Sequence, residues 1–241
     1  MQAHEIAMNN FERHIRCNPY PGRGFVIGAA PDGEHWYMLY WIMGRSANSR
    51  NRRFVAEDGI LRTEPVDTSL VADTSLIIYE AMLELLPRYL VSNGDQTRTL
   101  YETLKAGGSF DEALEKRERE PDAPHYTPRI SGLLDLRGSV PSLTLSILKA
   151  NVANPALTDR FTFRPAPPPA GFGVGLTTYS GDGNPLPAFA GDPLLLPLEA
   201  DAPELLDSYW EALNAENRVA LAVKCISTSS GASSIIVRNR F

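Results

Sequence analysis

Residues 36–43 read Trp-Tyr-Met-Leu-Tyr-Trp-Ile-Met, eight apolar side chains in succession with no polar residue among them. The run is far short of the roughly twenty residues that cross a bilayer, and its aromatic content suits a strand. A half-exposed strand alternates apolar and polar side chains, so an unbroken run implies cover on both faces. This chain must therefore build layers rather than an open sheet. Phe25-Val26-Ile27, followed by the turn signal Ala30-Pro31-Asp32-Gly33, supplies a first strand and predicts a hairpin with the apolar run. Before it, Pro19-Tyr20-Pro21-Gly22-Arg23-Gly24 reads as a turn, because its prolines and glycines fit neither a helix nor a strand interior.

Further along, Asp95 is expected to cap a helix ending at about Leu104, where Gly107-Gly108 stops it. Ser109 with Glu112 forms a capping-box pattern opening a second helix, supported by the i,i+4 pairs Glu112/Lys116 and Glu115/Arg119. Residues 129–136 and 142–148 read as strands around Gly138, and 173–179 and 218–226 are again strand-like. Between the latter two, Asp201 and Glu204 cap a helix over about 202–213, with Leu205, Leu206, Tyr209, Trp210 and Leu213 on one stripe. A last strand is expected at 234–237. Pro165-Ala166-Pro167-Pro168-Pro169 cannot donate to a sheet and reads as an extended connector within one domain. The expectation is an α+β fold, with an N-terminal extension over 1–17 and a single layered domain over 18–241.

Twenty-three Lys and Arg against 29 Asp and Glu give a formal charge of −6, which argues against nucleic acid or an anionic membrane as the main partner. Two cysteines, Cys17 and Cys225, are too few for a disulfide scaffold or thiolate cluster, and no secretory signal opens the chain; a cytoplasmic setting is expected. The four histidines are scattered without ligand spacing, so no metal site is expected. With no Walker loop or nucleophile elbow either, a cofactor-free mechanism is the default. Against this acidic background, Arg45, Arg50, Arg52 and Arg53 fall within nine residues with no acid between them. Such a loop can hold several guanidinium forks around one anion; it can equally be a solvated loop or a set of ion pairs. The Asn93-Gly94 turn offers backbone N–H groups to an anion, or is an ordinary turn. Arg129 follows Pro128 at a strand entry, and Glu118, Glu120 and Asp122 are candidates for proton transfer that on type alone would face water. Tyr79 by itself reads as core or interface.

Taken together, Asn18-Pro19-Tyr20-Pro21-Gly22-Arg23-Gly24, Tyr40-Trp41-Ile42-Met43-Gly44-Arg45-Ser46, Asn48-Ser49-Arg50-Asn51-Arg52, Val91-Ser92-Asn93-Gly94 and Tyr126-Thr127-Pro128-Arg129-Ile130 resemble the archaeal-type IMP cyclohydrolase family. Tyr179-Ser180-Gly181-Asp182-Gly183-Asn184-Pro185-Leu186-Pro187 is similar to bacterial members, and the match becomes looser after residue 137. The resemblance implies a four-layer αββα sandwich like that of N-terminal-nucleophile hydrolases, without an autoprocessed nucleophile; Cys17 is then incidental. It implies dehydrative ring closure of 5-formamidoimidazole-4-carboxamide ribotide (FAICAR) to inosine 5′-monophosphate (IMP) in purine biosynthesis, with no cofactor. By motif, the family's functional arginine falls on Arg50, its tyrosine on Tyr79 and its glutamate on Glu120, with Glu118 as the alternative. The implied roles are charge stabilisation by Arg50, donation to the formyl oxygen by Tyr79, and proton acceptance or orientation by Glu120. Arg23, Arg45 and Arg129 are candidates for phosphate or substrate contacts, and Asn93 and Gly94 for hydrogen bonds. The partner implied is the nucleotide substrate, with a homo-oligomer left open. An amidohydrolase on the same scaffold and a non-catalytic nucleotide sensor are the alternatives.

Overall fold

In the computed structural model, which describes residues 2–70 and 78–241, the apolar run lies in strand β2 (His35–Met43) and is buried from Trp36 to its end. Successive side chains leave β2 in opposite directions. Tyr40 packs on Phe54 at 5.4 Å between ring centroids and hydrogen-bonds Tyr79. Trp41 points the other way, towards Tyr209 of the helix Ala202–Ala212, which is labelled α5 below. Neither face meets water, so no selection for polar alternation acts on this strand. As expected, β2 forms an antiparallel hairpin with β1 (Gly24–Ala29).

Among the described residues, one sheet has six strands in the order β11-β10-β1-β2-β12-β13, and the other has seven in the order β3-β4-β5-β6-β7-β8-β9. The first is completed by β10 (Phe172–Thr177), β11 (Leu194–Pro197), β12 (Arg218–Ser227) and β13 (Ser233–Asn239). The second comprises β3 (Arg53–Glu57), β4 (Ile60–Glu64), β5 (Glu80–Leu85), β6 (Arg88–Ser92), β7 (Arg129–Asp135), β8 (Ser142–Ala150) and β9 (Thr158–Phe163). Every pairing is antiparallel. The sheets meet face to face at β1 and β7, where a Cβ on Gly132 would lie 2.7 Å from Ile27 Cδ1 and 2.8 Å from Phe25 Cε2. The main core fills this interface.

Helices lie on the outer faces. The helices α3 (Gln96–Lys105) and α4 (Phe110–Glu115) bury Leu100, Leu104, Phe110 and Leu114 against Leu83, Leu90 and Leu133 in a separate apolar cluster. On the other sheet, α5 covers β12 and β13, and the N-terminal helix α1 (Gln2–Phe11) covers β11. Phe11 meets Tyr209 edge-on at 4.9 Å, and Phe11 and Ile15 belong to the main core. The segment read as an extension thus contributes side chains to the central packing.

Local signals were met unequally. Ser109 and Asp201, both with extended backbones, accept the N–H of Glu112 and of Glu204 as expected. Asp95 does not cap α3: its backbone is already helical at φ −63°, ψ −13°, whereas a capping side chain needs an extended residue to fold back. Its carboxylate is bound by Arg117 and Arg129 instead. The expected Glu112/Lys116 and Glu115/Arg119 pairs do not form, because α4 ends at Glu115. Glu112 caps the Ser109 N–H, and Arg119 stacks over the Tyr126 ring. Proline-rich 165–169 runs from β9 to β10 without secondary structure, linking one sheet to the other within the sandwich.

Candidate active site

The turn before β1, the loop after β2, the loop after α4 and the segment after β10 converge around a cavity of about 400 Å³, within the ~300–1,000 Å³ typical of small-molecule sites. The first of these turns depends on glycine. Gly22 has φ +73°, and a Cβ there would lie 2.2 Å from Thr178 Oγ1. That close approach lets the Arg23 N–H donate to Thr178 Oγ1 at 3.0 Å and directs the Arg23 side chain into the cavity wall.

Arg23 and Glu120, 8% and 3% exposed, form a two-pronged pair, Nη1 to Oε1 at 2.9 Å and Nη2 to Oε2 at 3.0 Å. Arg23 Nη1 also donates to the Asn93 carbonyl at 2.9 Å. Burial by itself would lower the Arg23 pKa; the adjacent Glu120 carboxylate outweighs it and holds the pKa well above the usual guanidinium value. Tyr79 and Tyr40 stand near this guanidinium, with their hydroxyls 2.7 Å apart. Burial pushes the Tyr40 pKa far up, so this phenol keeps its proton.

Beside the pair, Thr127 donates its only hydroxyl hydrogen to Asp122 Oδ2. The Tyr179 hydroxyl, also bonded to Thr127 Oγ1, must then be the donor of that bond. Burial raises the Tyr179 pKa strongly, in keeping with a retained proton. The Tyr179 ring stacks on Tyr20 at 5.8 Å, and Arg45 lies over Tyr20 at 5.1 Å from its centroid. His125 Nδ1 accepts the Leu186 N–H at 3.1 Å, which assigns the proton of its neutral ring to Nε2.

The arginine patch divides in two. Its centre is a one-turn helix, α2 (Ala47–Arg50), closed by reciprocal bonds between Ser46 and Ser49. Arg45 and Arg52 line the cavity. Arg52, 6% exposed, donates Nε to Ser49 O at 2.8 Å and Nη2 to Met43 O at 3.1 Å, so backbone carbonyls hold it and it pairs with no carboxylate among the described residues. Arg45 is bound by Asp182 Oδ1 at 2.5 Å and Gly183 O at 2.9 Å. Arg50 donates to Gly44 O and Asn217 Oδ1, and Arg53 opens β3 and pairs with Glu64.

A family model described as IMP cyclohydrolase-like protein matches residues 20–230, a span that contains every wall of the cavity. The chain belongs to this IMP cyclohydrolase-like family. No curated protein matches it.

Of the residues picked out in the sequence of this family member, Arg23, Arg45, Glu120 and Asp122 line the cavity. Glu118 lies outside it, bonded to Thr158 and Arg160 at the surface. Tyr79 stands behind the wall, joined to Tyr40. Expected at the anion site, Arg50 is absent from the lining because its guanidinium ties the loop to Gly44 and Asn217. Asn93 uses its side chain on Ile130 N, Gln96 and Pro128 O, so only its carbonyl reaches Arg23. Gly94 is covered by Arg129 and Gln96, with Arg129 Nη1 only 2.6 Å from where a Cβ would stand. Arg129 itself binds Asp95 and Gln96 and lines a different cavity. Tyr20, Arg52, His125, Thr127 and Tyr179 complete the site without having been singled out individually. Tyr20, Arg52, Thr127 and Tyr179 lie inside the motifs that carry the family resemblance, which was the one available signal.

Proposed function

We propose that the protein is an IMP cyclohydrolase acting in cytoplasmic purine biosynthesis. The observation that carries this reading is the union, in one cavity of a chain from this family, of the buried Arg23–Glu120 pair with the cationic Arg45 and Arg52. FAICAR requires both kinds of group. Its 5′-phosphate needs a cationic cradle, which Arg52, held by backbone carbonyls, and Arg45 supply. In the reaction the carboxamide nitrogen bonds to the formyl carbon, the C=O π bond opens onto oxygen, and a proton leaves nitrogen. Loss of the resulting hydroxyl with a second nitrogen-bound proton gives water and the pyrimidinone ring.

In this reading Arg23 stabilises negative charge growing on the formyl oxygen, a preorganised charge in a wall where little water competes. Glu120 fixes the plane of Arg23 and receives or orients the carboxamide proton. Tyr79, through Tyr40 and beside Arg23, supports the same pole of the site. Tyr20 and Tyr179 offer an aromatic wall to the imidazole ring. Arg50 acts as a positioning residue for the 44–52 loop rather than as a group touching substrate. The two face-to-face antiparallel sheets with outer helices also support the fold kinship with N-terminal-nucleophile hydrolases.

The test is to supply FAICAR to purified protein and follow the absorbance of the purine product. Formation of IMP and its loss in Arg23→Met support the proposal. Tight binding of IMP without any turnover would replace it with a nucleotide-binding role.

A further inference from the structure

A second cavity, of about 440 Å³, opens on the other side of segment 116–122 and shares no lining residue with the first. Its floor is Arg129, 8% exposed, and its rim carries Lys116 and Arg117. The single carboxylate between them is Asp95, bound by Arg117 Nη2 at 2.5 Å and Arg129 Nη1 at 2.7 Å. The other charged rim residues are engaged elsewhere: Glu118 with Thr158 and Arg160, Arg119 with Pro155 O and the Tyr126 ring. Three cations thus surround one anion, a local excess of positive charge in a chain whose formal charge is −6. Each guanidinium carries five N–H donors, more than one carboxylate and one amide oxygen can absorb. Arg129 Nε, shielded from solvent, donates to no protein acceptor among the described residues. A buried arginine with an unmet donor carries a cost in stability beyond what its bonds to Asp95 and Gln96 satisfy.

We propose that this cavity is a second ligand site, taking a small phosphate-bearing anion between Lys116 and Arg117 at the rim and Arg129 at the floor. Guanidinium forks match phosphate oxygens, and a lining of charged residues apart from Pro121 suits an anion rather than an apolar ligand. The site lies at the outer end of a buried chain of hydrogen bonds. Arg129 Nη1 donates to Gln96 Oε1 at 2.8 Å, Gln96 Nε2 to Asn93 Oδ1 at 2.9 Å, and the Asn93 carbonyl accepts Arg23 Nη1 at 2.9 Å. A phosphate-bearing ligand there would pull on the same guanidinium whose other bonds lead to the Arg23–Glu120 pair.

The probe is inorganic pyrophosphate, titrated calorimetrically into the full chain at low ionic strength. Two binding events per chain are expected for the natural protein. Lys116→Glu combined with Arg117→Gln should weaken one of them at least tenfold and leave the other. Arg45→Ala combined with Arg52→Ala should do the converse, so failure of the first cavity as a phosphate site is read separately. A single event in the natural protein, or a second event that survives the Lys116/Arg117 changes, overturns the proposal.

Discussion

Replacing Glu120 by Gln tests the centre of the site by a physical effect that precedes catalysis. The substitution keeps the shape of the side chain and removes its charge. One amide oxygen remains to accept from Arg23, while the amide NH₂ confronts the other guanidinium nitrogen, a donor against a donor. Arg23 is then left charged in a wall where it is 8% exposed, with two neutral oxygens, that amide and the Asn93 carbonyl, as acceptors and no anionic partner. Removing one partner of a buried ion pair costs about 3–5 kcal/mol. For a chain of this size 1 kcal/mol corresponds to roughly 2–4 °C in Tm, so the expected fall is about 6–20 °C. Glu118→Gln provides the control, since Glu118 is exposed and its pairing with Arg160 is worth at most about 1 kcal/mol. Thermal unfolding followed by circular dichroism reads both. A third variant separates stability from function: Arg23→Met/Glu120→Leu replaces the pair by apolar groups, an exchange that is often neutral or stabilising. It should recover most of the lost Tm, whereas the proposed ring closure, assayed well below every Tm, should be lost in both Glu120 variants. A Tm for Glu120→Gln no lower than that for Glu118→Gln would refute the account of the pair.

Other substitutions divide the site by role. Arg52→Ala should raise KM for a phosphate-bearing substrate by roughly tenfold or more with little change in kcat, as a remote handle binds ground and transition states alike; Arg50→Ala should have the smaller KM effect in steady-state kinetics. Gly24→Ala would place a Cβ 2.1 Å from the buried Trp41 ring, so a loss of about 1–3 kcal/mol is expected in urea unfolding. Burial tends to raise the Asp95 pKa, but Arg117 and Arg129 overcome it and hold the folded value below the ordinary one. The stabilisation from Asp95 is therefore present above the unfolded value of ~3.9 and lost as pH falls through the lower folded value. The stability gap between the natural protein and Asp95→Asn, measured by urea titration from pH 7 to pH 2, should close across that acid window.

The layered fold was legible where local chemistry and burial agree. The unbroken run in β2 demanded cover on both faces, and Tyr40 and Trp41 show where that cover comes from. The caps at Ser109 and Asp201 were equally legible, since each needs only four consecutive residues and a backbone turn. Strands β3, β4, β5, β9 and β11 were not. β9 has an exposed centre, and in β4 (Ile-Leu-Arg-Thr-Glu) and β11 (Leu-Leu-Leu-Pro) burial alternates while residue type does not, so the sequence carries no firm alternation to read.

At the site, residue type and motif order pointed to Arg23, Arg45 and Glu120, which the fold brings to one cavity across almost a hundred residues of sequence. Sequence alone could establish that a cluster of arginines follows a buried strand and that acids follow the second helix of a pair. Which arginine faces the cavity was decided by tertiary structure. A one-turn helix rotates Arg50 onto Gly44 and Asn217 and leaves Arg52 on the wall. The same holds for Glu118 and Glu120, two residues apart with opposite fates: one reaches Thr158 at the surface, the other Arg23 in the wall. The sequence by itself determined the layers, because hydrophobic burial depends on composition along each element. Only the packed molecule decided the charge pairing, because a partner such as Asp182 for Arg45 lies 137 positions away and no local pattern encodes that distance.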